Sequence, residues 1–389
     1  MKTSRRFVFA LLLLVPVLLV NGKDKKDKKP VPQKKDFFAF AGTYTTKTQS
    51  KGIYAFRYDA TSGKLTPIGV AAETPDPSFL AIHPSGKFLY AVNESGKASF
   101  VTSFALDAKT GKLTQLNQVP SLGEDPCYIS LDQTGRYILV ANYTSGTLAI
   151  FSILPDGKIG EKTAVNQDSG KLGPNKERQE GPHAHWIETS ADNRYVLAVD
   201  LGLDQVLIFQ LDAKKGTLAP HIPPSAAIKP GSGPRHAIFS PNGKFLFVVN
   251  EVSSTATSFS YESKTGDLKE VSSVSTLPTG FSGRNDVAEV VIHPSGRFLY
   301  VSNRGADSIA LLGIDPKKGT LAPIGTVPTG GKEPRHFTLD PSGNFLFVEN
   351  QWSDTIVTFH VDANTGQLTP TGDNIAVPAP VCLKFIPAE

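Results

Sequence analysis

The sequence predicts an all-β chain folded as a seven-bladed β-propeller, its last blade closed by one C-terminal and three N-terminal strands. Three observations predict it. One supersecondary unit recurs seven times at the size of a four-stranded blade. The two chain ends are complementary fragments of one such unit. The 34 Gly and 29 Pro among 389 residues supply turns, and no long helical pattern accompanies them.

The unit is a Pro-led apolar strand, a Pro-x-Gly turn, a second apolar strand ending in Asn, and two further strands. GPRHAIFSPNGKFLFVVNE from Gly233, EPRHFTLDPSGNFLFVENQ from Glu333 and PDPSFLAIHPSGKFLYAVNE from Pro75 are its clearest copies. The strand anchor falls at Pro77, Pro126, Ala184, Pro234, Val287, Pro334 and Pro380, with spacings of 49, 58, 50, 53, 47 and 46 residues. The turn opens seven residues later, at Pro84, Gln133, Ala191, Pro241, Pro294, Pro341 and Pro387. The nearly all-apolar run Phe245 to Val249 fits a strand buried between neighbouring blades.

After Pro380 only VCLKFIPAE remains, enough for one strand. FFAFAGTY from Phe37, GIYAFRY from Gly52 and KLTPIG from Lys64 match the second, third and fourth strands of a unit. Joining them in one blade closes the ring and removes the open edges of a linear array.

Residues 1–35 read differently. Lys2, Arg5 and Arg6 precede a 14-residue apolar run, Phe7 to Val20, short for a membrane span and suited to a signal-peptide core. Residues 1–21 are therefore expected to export the chain, to the periplasm or outside the cell. An uncleaved membrane anchor is the alternative, since no clear Ala-x-Ala follows. Residues 22–35 form a lysine-rich tether with nothing to bury, and residues 36–389 form the propeller. The first 35 residues hold 10 Lys/Arg and 2 Asp/Glu, which leaves 30 basic and 34 acidic residues for the rest. The folded part thus gives no electrostatic reason to bind nucleic acid. Cys127 and Cys382 lie two blades apart in the repeat frame and are expected to be buried free thiols.

The repeat frame predicts where chemistry gathers. The start of each first strand and the end of each second strand meet at one mouth of the central channel. The residue after the anchor is Ser78, Cys127, His185, Arg235, Ala288, Arg335 and Val381, followed by Phe79, Tyr128, Trp186, His236, Glu289, His336 and Cys382. Second strands end in Asn93, Asn142, Asp200, Asn250, Asn303 and Asn350, followed by Glu94, Tyr143, Leu201, Glu251, Arg304 and Gln351. Four of the chain's 8 His, namely His183, His185, His236 and His336, fall at this mouth, so they are not scattered at random. His185, Arg235, Glu251 and Arg304 are the expected catalytic set. His183, Glu289, Arg335 and Arg284, the last in the loop FSGRND, are the expected substrate-binding set. Arginines hold anionic groups or stabilise an oxyanion, and a Glu or His beside them activates water. The repeated Asn is expected to cap strand ends. His236 and His336 are expected to point away from the arginines, into inter-blade packing, and His83 and His293 to be surface residues at the opposite mouth. No Gly-x-Ser-x-Gly elbow and no zinc-type ligand spacing occurs, so neither a serine nucleophile nor a metal is expected.

GTYT at Gly42, DPSFLA at Asp76, LYAVNE at Leu89, DPCY at Asp125, VANY at Val140, PHAH at Pro182, VDLG at Val199, GPRH at Gly233, VNE at Val249, AEVVIHPSGRFLYVSNRG at Ala288 and NQWSDT at Asn350 resemble the seven-bladed propeller lactonase family. That family includes propeller-type 6-phosphogluconolactonases and a carboxymuconate-lactonising enzyme. The resemblance spans about residues 37 to 389. It implies metal- and cofactor-free hydrolysis of a small-molecule lactone, through a His of PHAH (His183 or His185), Arg235, Glu251 and Arg304. 6-Phosphogluconolactone arises inside cells, so an exported protein would meet an unphosphorylated aldonolactone instead. A muconate-type lactonising enzyme and a secreted, non-catalytic binding platform are the rival readings.

Overall fold

The computed structural model describes residues 36–388. The expected leader, 1–21, and tether, 22–35, lie outside the described residues. Among the described residues no helix is long and apolar enough to cross a membrane.

Seven four-stranded antiparallel sheets form the ring. Their inner strands are Leu80–Ile82, Pro126–Leu131, Ala184–Thr189, Pro234–Phe239, Asp286–Ile292, Pro334–Leu339 and Pro380–Pro387, which we number blades 1 to 7. The second strands of blades 1 to 6 are Phe88–Asn93, Tyr137–Asn142, Tyr195–Asp200, Phe245–Asn250, Phe298–Arg304 and Phe345–Asn350. In blade 7 the C-terminal strand Pro380–Pro387 pairs with Asp36–Thr43, followed outward by Gly52–Asp59 and Lys64–Glu73. The ring therefore closes as the sequence predicts.

The second strands are wholly buried in blades 2, 3, 4, 5 and 6 because both of their faces meet neighbouring blades. Phe247 and Val249 of blade 4 pack with Leu299 and Val301 of blade 5. Tyr58 and Phe385 of blade 7 pack on Phe347 of blade 6, the Tyr58 and Phe347 rings meeting edge to face at 5.4 Å. The turn between the first two strands needs a left-handed residue. Glycine supplies it in five of the six such turns, such as Gly243 at φ 66°; in blade 3 Asn193 takes the place at φ 58°. Asn tolerates that conformation better than most residues, and its amide also donates to Asp132 at 2.8 Å.

Candidate active site at the channel mouth

A β-bulge follows the anchor in the inner strands of blades 2, 3, 4 and 6. The register slips between Pro126 and Tyr128, Ala184 and Trp186, Pro234 and His236, and Pro334 and His336. The skipped residues are Cys127, His185, Arg235 and Arg335. A bulged residue leaves the ladder and its side chain is re-aimed. Here the four converge on the channel. Blade 5 breaks its pairing over the same stretch, between Val287 and Val290.

The bulge also corrects one expectation. His236 and His336 do not point between blades. Strict alternation fails across a bulge, so consecutive residues both face the axis. His236 meets Phe79 of blade 1 at 5.8 Å and Tyr128 of blade 2 at 5.0 Å between ring centroids, and His336 meets Phe79 at 5.7 Å. Glu289 lies between them, 3.2 Å from His236 Nδ1 and 3.5 Å from His336 Nε2. His336 Nδ1 is 2.6 Å from Glu349. These residues plug the channel beneath the mouth. Glu289 is thus placed below the large pocket rather than on its wall.

Above the plug lies a cavity of about 570 Å³, lined by residues that include Tyr44, Glu94, Cys127, Tyr143, His185 and Trp352. Its organising centre is Glu251, directly after the second strand of blade 4. Three guanidinium groups hold its carboxylate. Arg178 pairs with Oε1, while Arg235 Nε and Arg304 approach Oε2 at 2.9 and 3.2 Å. Burial alone would raise the Glu251 pKa, but the three arginines outweigh it and hold the group far below the usual carboxylate range. Glu251 is therefore a fixed anion and a weak base.

The arginines differ in what they have left to offer. Arg235 is 2 % exposed and donates to the Ala288 carbonyl at 2.7 Å. Burial and the charges of Arg304 and Arg335 bring its pKa down to about 10. Arg304 reaches the carbonyls of Asp286 and Val287 and lies 3.5 Å from Glu333. Gly305 follows it at φ 109°; a Cβ there would lie 2.2 Å from the Arg284 carbonyl oxygen, so only glycine admits this close approach. Arg335 is less committed. Its guanidinium lies over the Tyr44 ring at 5.2 Å, and its nearest carboxylate, Glu94, is 4.0 Å away. Arg284 stands at the rim, 84 % exposed along its side chain, 3.1 Å from Asp286.

The two PHAH histidines separate. His185 lines the cavity, its Nδ1 3.4 Å from the Cys127 thiol. Burial first, then Arg235, push its pKa well below 6.5, so the imidazole is neutral near pH 7. His183 lies behind the wall: it stacks on Tyr143 at 4.5 Å and bonds the Tyr143 carbonyl and Glu180. Cys127 and Cys382 are buried free thiols. The strand-end Asn93 ties Thr74, Pro75 and Thr102 together, as a structural cap would. His83 and His293 each bond the serine of their own turn, and His293 is buried rather than a surface residue.

Arg178 escapes the repeat reading. It sits in the connection 168–183, which makes the spacing between blades 2 and 3 the longest, at 58 residues. That excess length was the available signal. The connection is fastened by two buried acids. Asp200 accepts from the backbone N–H groups of His183 and Leu203 at 3.0 and 2.9 Å. Asp168, at the connection's start, is held protonated by burial and by the nearby Asp200 charge, its pKa raised to about 9. A raised folded-state pKa gives stability that is complete below about pH 4 and lost as pH rises toward about 9. Asp168→Asn keeps the neutral form at every pH. It is expected to flatten the decline in urea-unfolding stability between pH 5.5 and 8.5 and to add on the order of 1 kcal/mol at the upper end. An unchanged slope would remove this account of the pair.

Among the described residues, no group of three or more His, Cys, Asp and Glu side chains is arranged to hold a metal ion. The sequence profile of the family described as Lactonase, 7-bladed beta-propeller matches residues 38–385. The chain is 35% identical over 350 residues to a 6-phosphogluconolactonase of Bacillus subtilis, covering 90% of this chain and 98% of that one. It is 35% identical over 307 residues to a 6-phosphogluconolactonase of Formosa agariphila, covering 77% and 85%. The solved structure of a periplasmic gluconolactonase from Pseudomonas aeruginosa matches with a TM-score of 0.86 at 33% identity, covering 91% of this chain and 100% of that one.

Proposed function

The chain belongs to the seven-bladed β-propeller lactonase family, and from that premise we propose that its channel-mouth pocket hydrolyses the ring ester of a sugar lactone. The observation that carries this reading is a neutral, buried imidazole, His185, on the wall of a cavity that also holds arginines around a fixed anion.

The chemistry follows from these parts. His185 takes a proton from water as the water oxygen attacks the lactone carbonyl. Charge builds on the carbonyl oxygen, and Arg335, the half-buried arginine with the loosest carboxylate pairing, stabilises it. The ester C–O bond then breaks, and the imidazolium returns its proton to the departing ring oxygen. The net change is addition of one water to give the open aldonic acid. Glu251 does not act as the base, because the charges of three surrounding arginines hold it as a weakly basic anion. Its charge keeps those arginines in place and favours the imidazolium that His185 becomes. Residues 1–21, read as a signal peptide or a membrane anchor, support a reaction outside the cytoplasm, as does the similarity to a periplasmic gluconolactonase.

Proton release from glucono-δ-lactone, measured against the spontaneous rate, tests the reading. The enzyme is expected to accelerate it, and His185→Gln to lower kcat/KM by roughly 10²- to 10⁴-fold. Because the His185 pKa is lowered, the base stays competent through pH 6.5, and the acid limb of the kcat/KM profile lies below that value. Retention of the wild-type rate by His185→Gln would remove His185 as the base.

A further inference from the structure

We infer that the pocket is built for an uncharged, polyhydroxylated lactone and discriminates against its phosphorylated form. This inference rests on the lactone-hydrolase reading above and names the substrate class of that site.

The first ground is charge compensation. A phosphate site offers arginine or lysine donors that are free to fork onto phosphate oxygens. Here the arginines on and under the cavity wall already face carboxylates. Arg178 bridges Glu251 and Asp286, Arg235 is on Glu251, Arg304 lies between Glu251 and Glu333, and Arg284 is on Asp286. Arg335 has Glu94 at 4.0 Å. The cavity lining itself carries four arginines, Arg178, Arg284, Arg304 and Arg335, and four carboxylates, Glu94, Glu251, Asp286 and Glu333. A dianion entering this space meets as many acids as bases. A hydroxyl group meets both an acceptor and a donor, and can use them at once.

The second ground is the position of the acids. Glu94 and Glu333 stand on the wall with side chains 17% and 15% exposed, so both reach the cavity. Burial, opposed by Arg304 and Arg335 and reinforced by Asp286 and Asp307, raises the Glu333 pKa. That side of the cavity already resists holding negative charge.

The third ground is the rim. Of the chain's two tryptophans, Trp186 is fully buried, whereas Trp352 is 71% exposed and lines the cavity. Its turn is pinned to the neighbouring segment: Trp352 N–H donates to the Lys332 carbonyl, Gln351 N–H to the Glu333 carbonyl, and Lys332 N–H to Ser353 Oγ. An exposed indole on a pinned backbone turn at a pocket edge suits the C–H face of a sugar ring, with its apolar body and polar tip. Its electron-rich face brings no positive charge to attract a phosphate.

The test compares kcat/KM for glucono-δ-lactone and for its 6-phosphate in one proton-release assay, with calorimetric binding of gluconate and 6-phosphogluconate as a readout independent of turnover. The unphosphorylated lactone is expected to be preferred by at least about 10-fold, since like-charge juxtaposition is costly. Glu94→Gln combined with Glu333→Gln should move that ratio toward the phosphorylated lactone by about 10-fold, because two opposing charges are gone. Hydrolysis of both lactones with the phosphorylated one preferred, a preference abolished by Arg284→Ala, would overturn the inference and leave the lactonase reading standing. Hydrolysis of neither, with gluconate binding tighter than 6-phosphogluconate, would overturn the lactonase reading and leave the charge selectivity standing. Hydrolysis of neither with no such binding difference overturns both.

Discussion

Glu251→Gln is expected to lower kcat/KM by about 10³-fold and to cost about 3–5 kcal/mol of stability, because it leaves buried arginines without their shared anion. The isosteric amide keeps the shape of the side chain and removes only its charge. Arg235 and Arg304 would then face each other, and Arg335, across a buried space, and each already lowers the pKa of Arg235. Arg178 would lose one of its two carboxylates and keep Asp286 at 3.1 Å. The loss of rate has two sources: the arginines shift from their positions, and the imidazolium of His185 loses a stabilising charge. A second variant separates role from collapse. Glu251→Asp keeps the charge on a shorter stem and should recover most of the stability but little of the rate. Steady-state kinetics and urea unfolding of both variants check this. Wild-type kcat/KM in Glu251→Gln would dismiss the anion as the organiser of the site.

How much of this site was legible in the sequence depended on whether a residue belonged to the repeat. His185, Arg235 and Arg335 share one place in the frame, the residue after the anchor, and Glu251 and Arg304 share another. Register alone brought these five to one mouth. The same frame misjudged the direction of His236 and His336, because a period of two holds only while the ladder is unbroken, and the bulge after each anchor breaks it. His183 and His185 share one motif, and register alone favoured His185; the structure separates them by Tyr143, whose ring stacks on His183 and meets His185 edge to face, leaving His185 beside Cys127. Arg178 lies in a connection with no counterpart in other blades, so no repeat could point to it. Glu94 fell on the predicted ring, yet its meaning needed the contact with Tyr44 of blade 7, 2.7 Å from the hydroxyl, which joins residues 50 apart in the chain. Ring closure was the most legible feature, since two incomplete ends could be matched against six complete copies.

That closure predicts the largest effect on folding. A chain ending at Ala379 is expected to be insoluble or to lose its cooperative transition. The deleted strand Pro380–Pro387 is the inner strand of blade 7, paired with Asp36–Thr43 from Phe37 opposite Pro387 to Gly42 opposite Cys382. It buries Val381, Leu383 and Ile386 to 2%, 0% and 4% exposure. At roughly 1.5–3 kcal/mol for each such side chain, their loss alone removes about 5–9 kcal/mol, against a typical net stability of about 5–15 kcal/mol. The deletion also strips hydrogen-bond partners from Asp36–Thr43 and exposes a strand edge where blades 6 and 1 had been joined. In a linear array of blades such damage would stay at one end, and the remaining blades would unfold as before. In a closed ring it opens the seam that fixes every blade's angle, so the damage is shared. Leu383→Ala provides a graded counterpart, with an expected cost of about 2–5 kcal/mol. A soluble truncated chain with the full-length urea midpoint would mean that the seam carries none of the fold's stability.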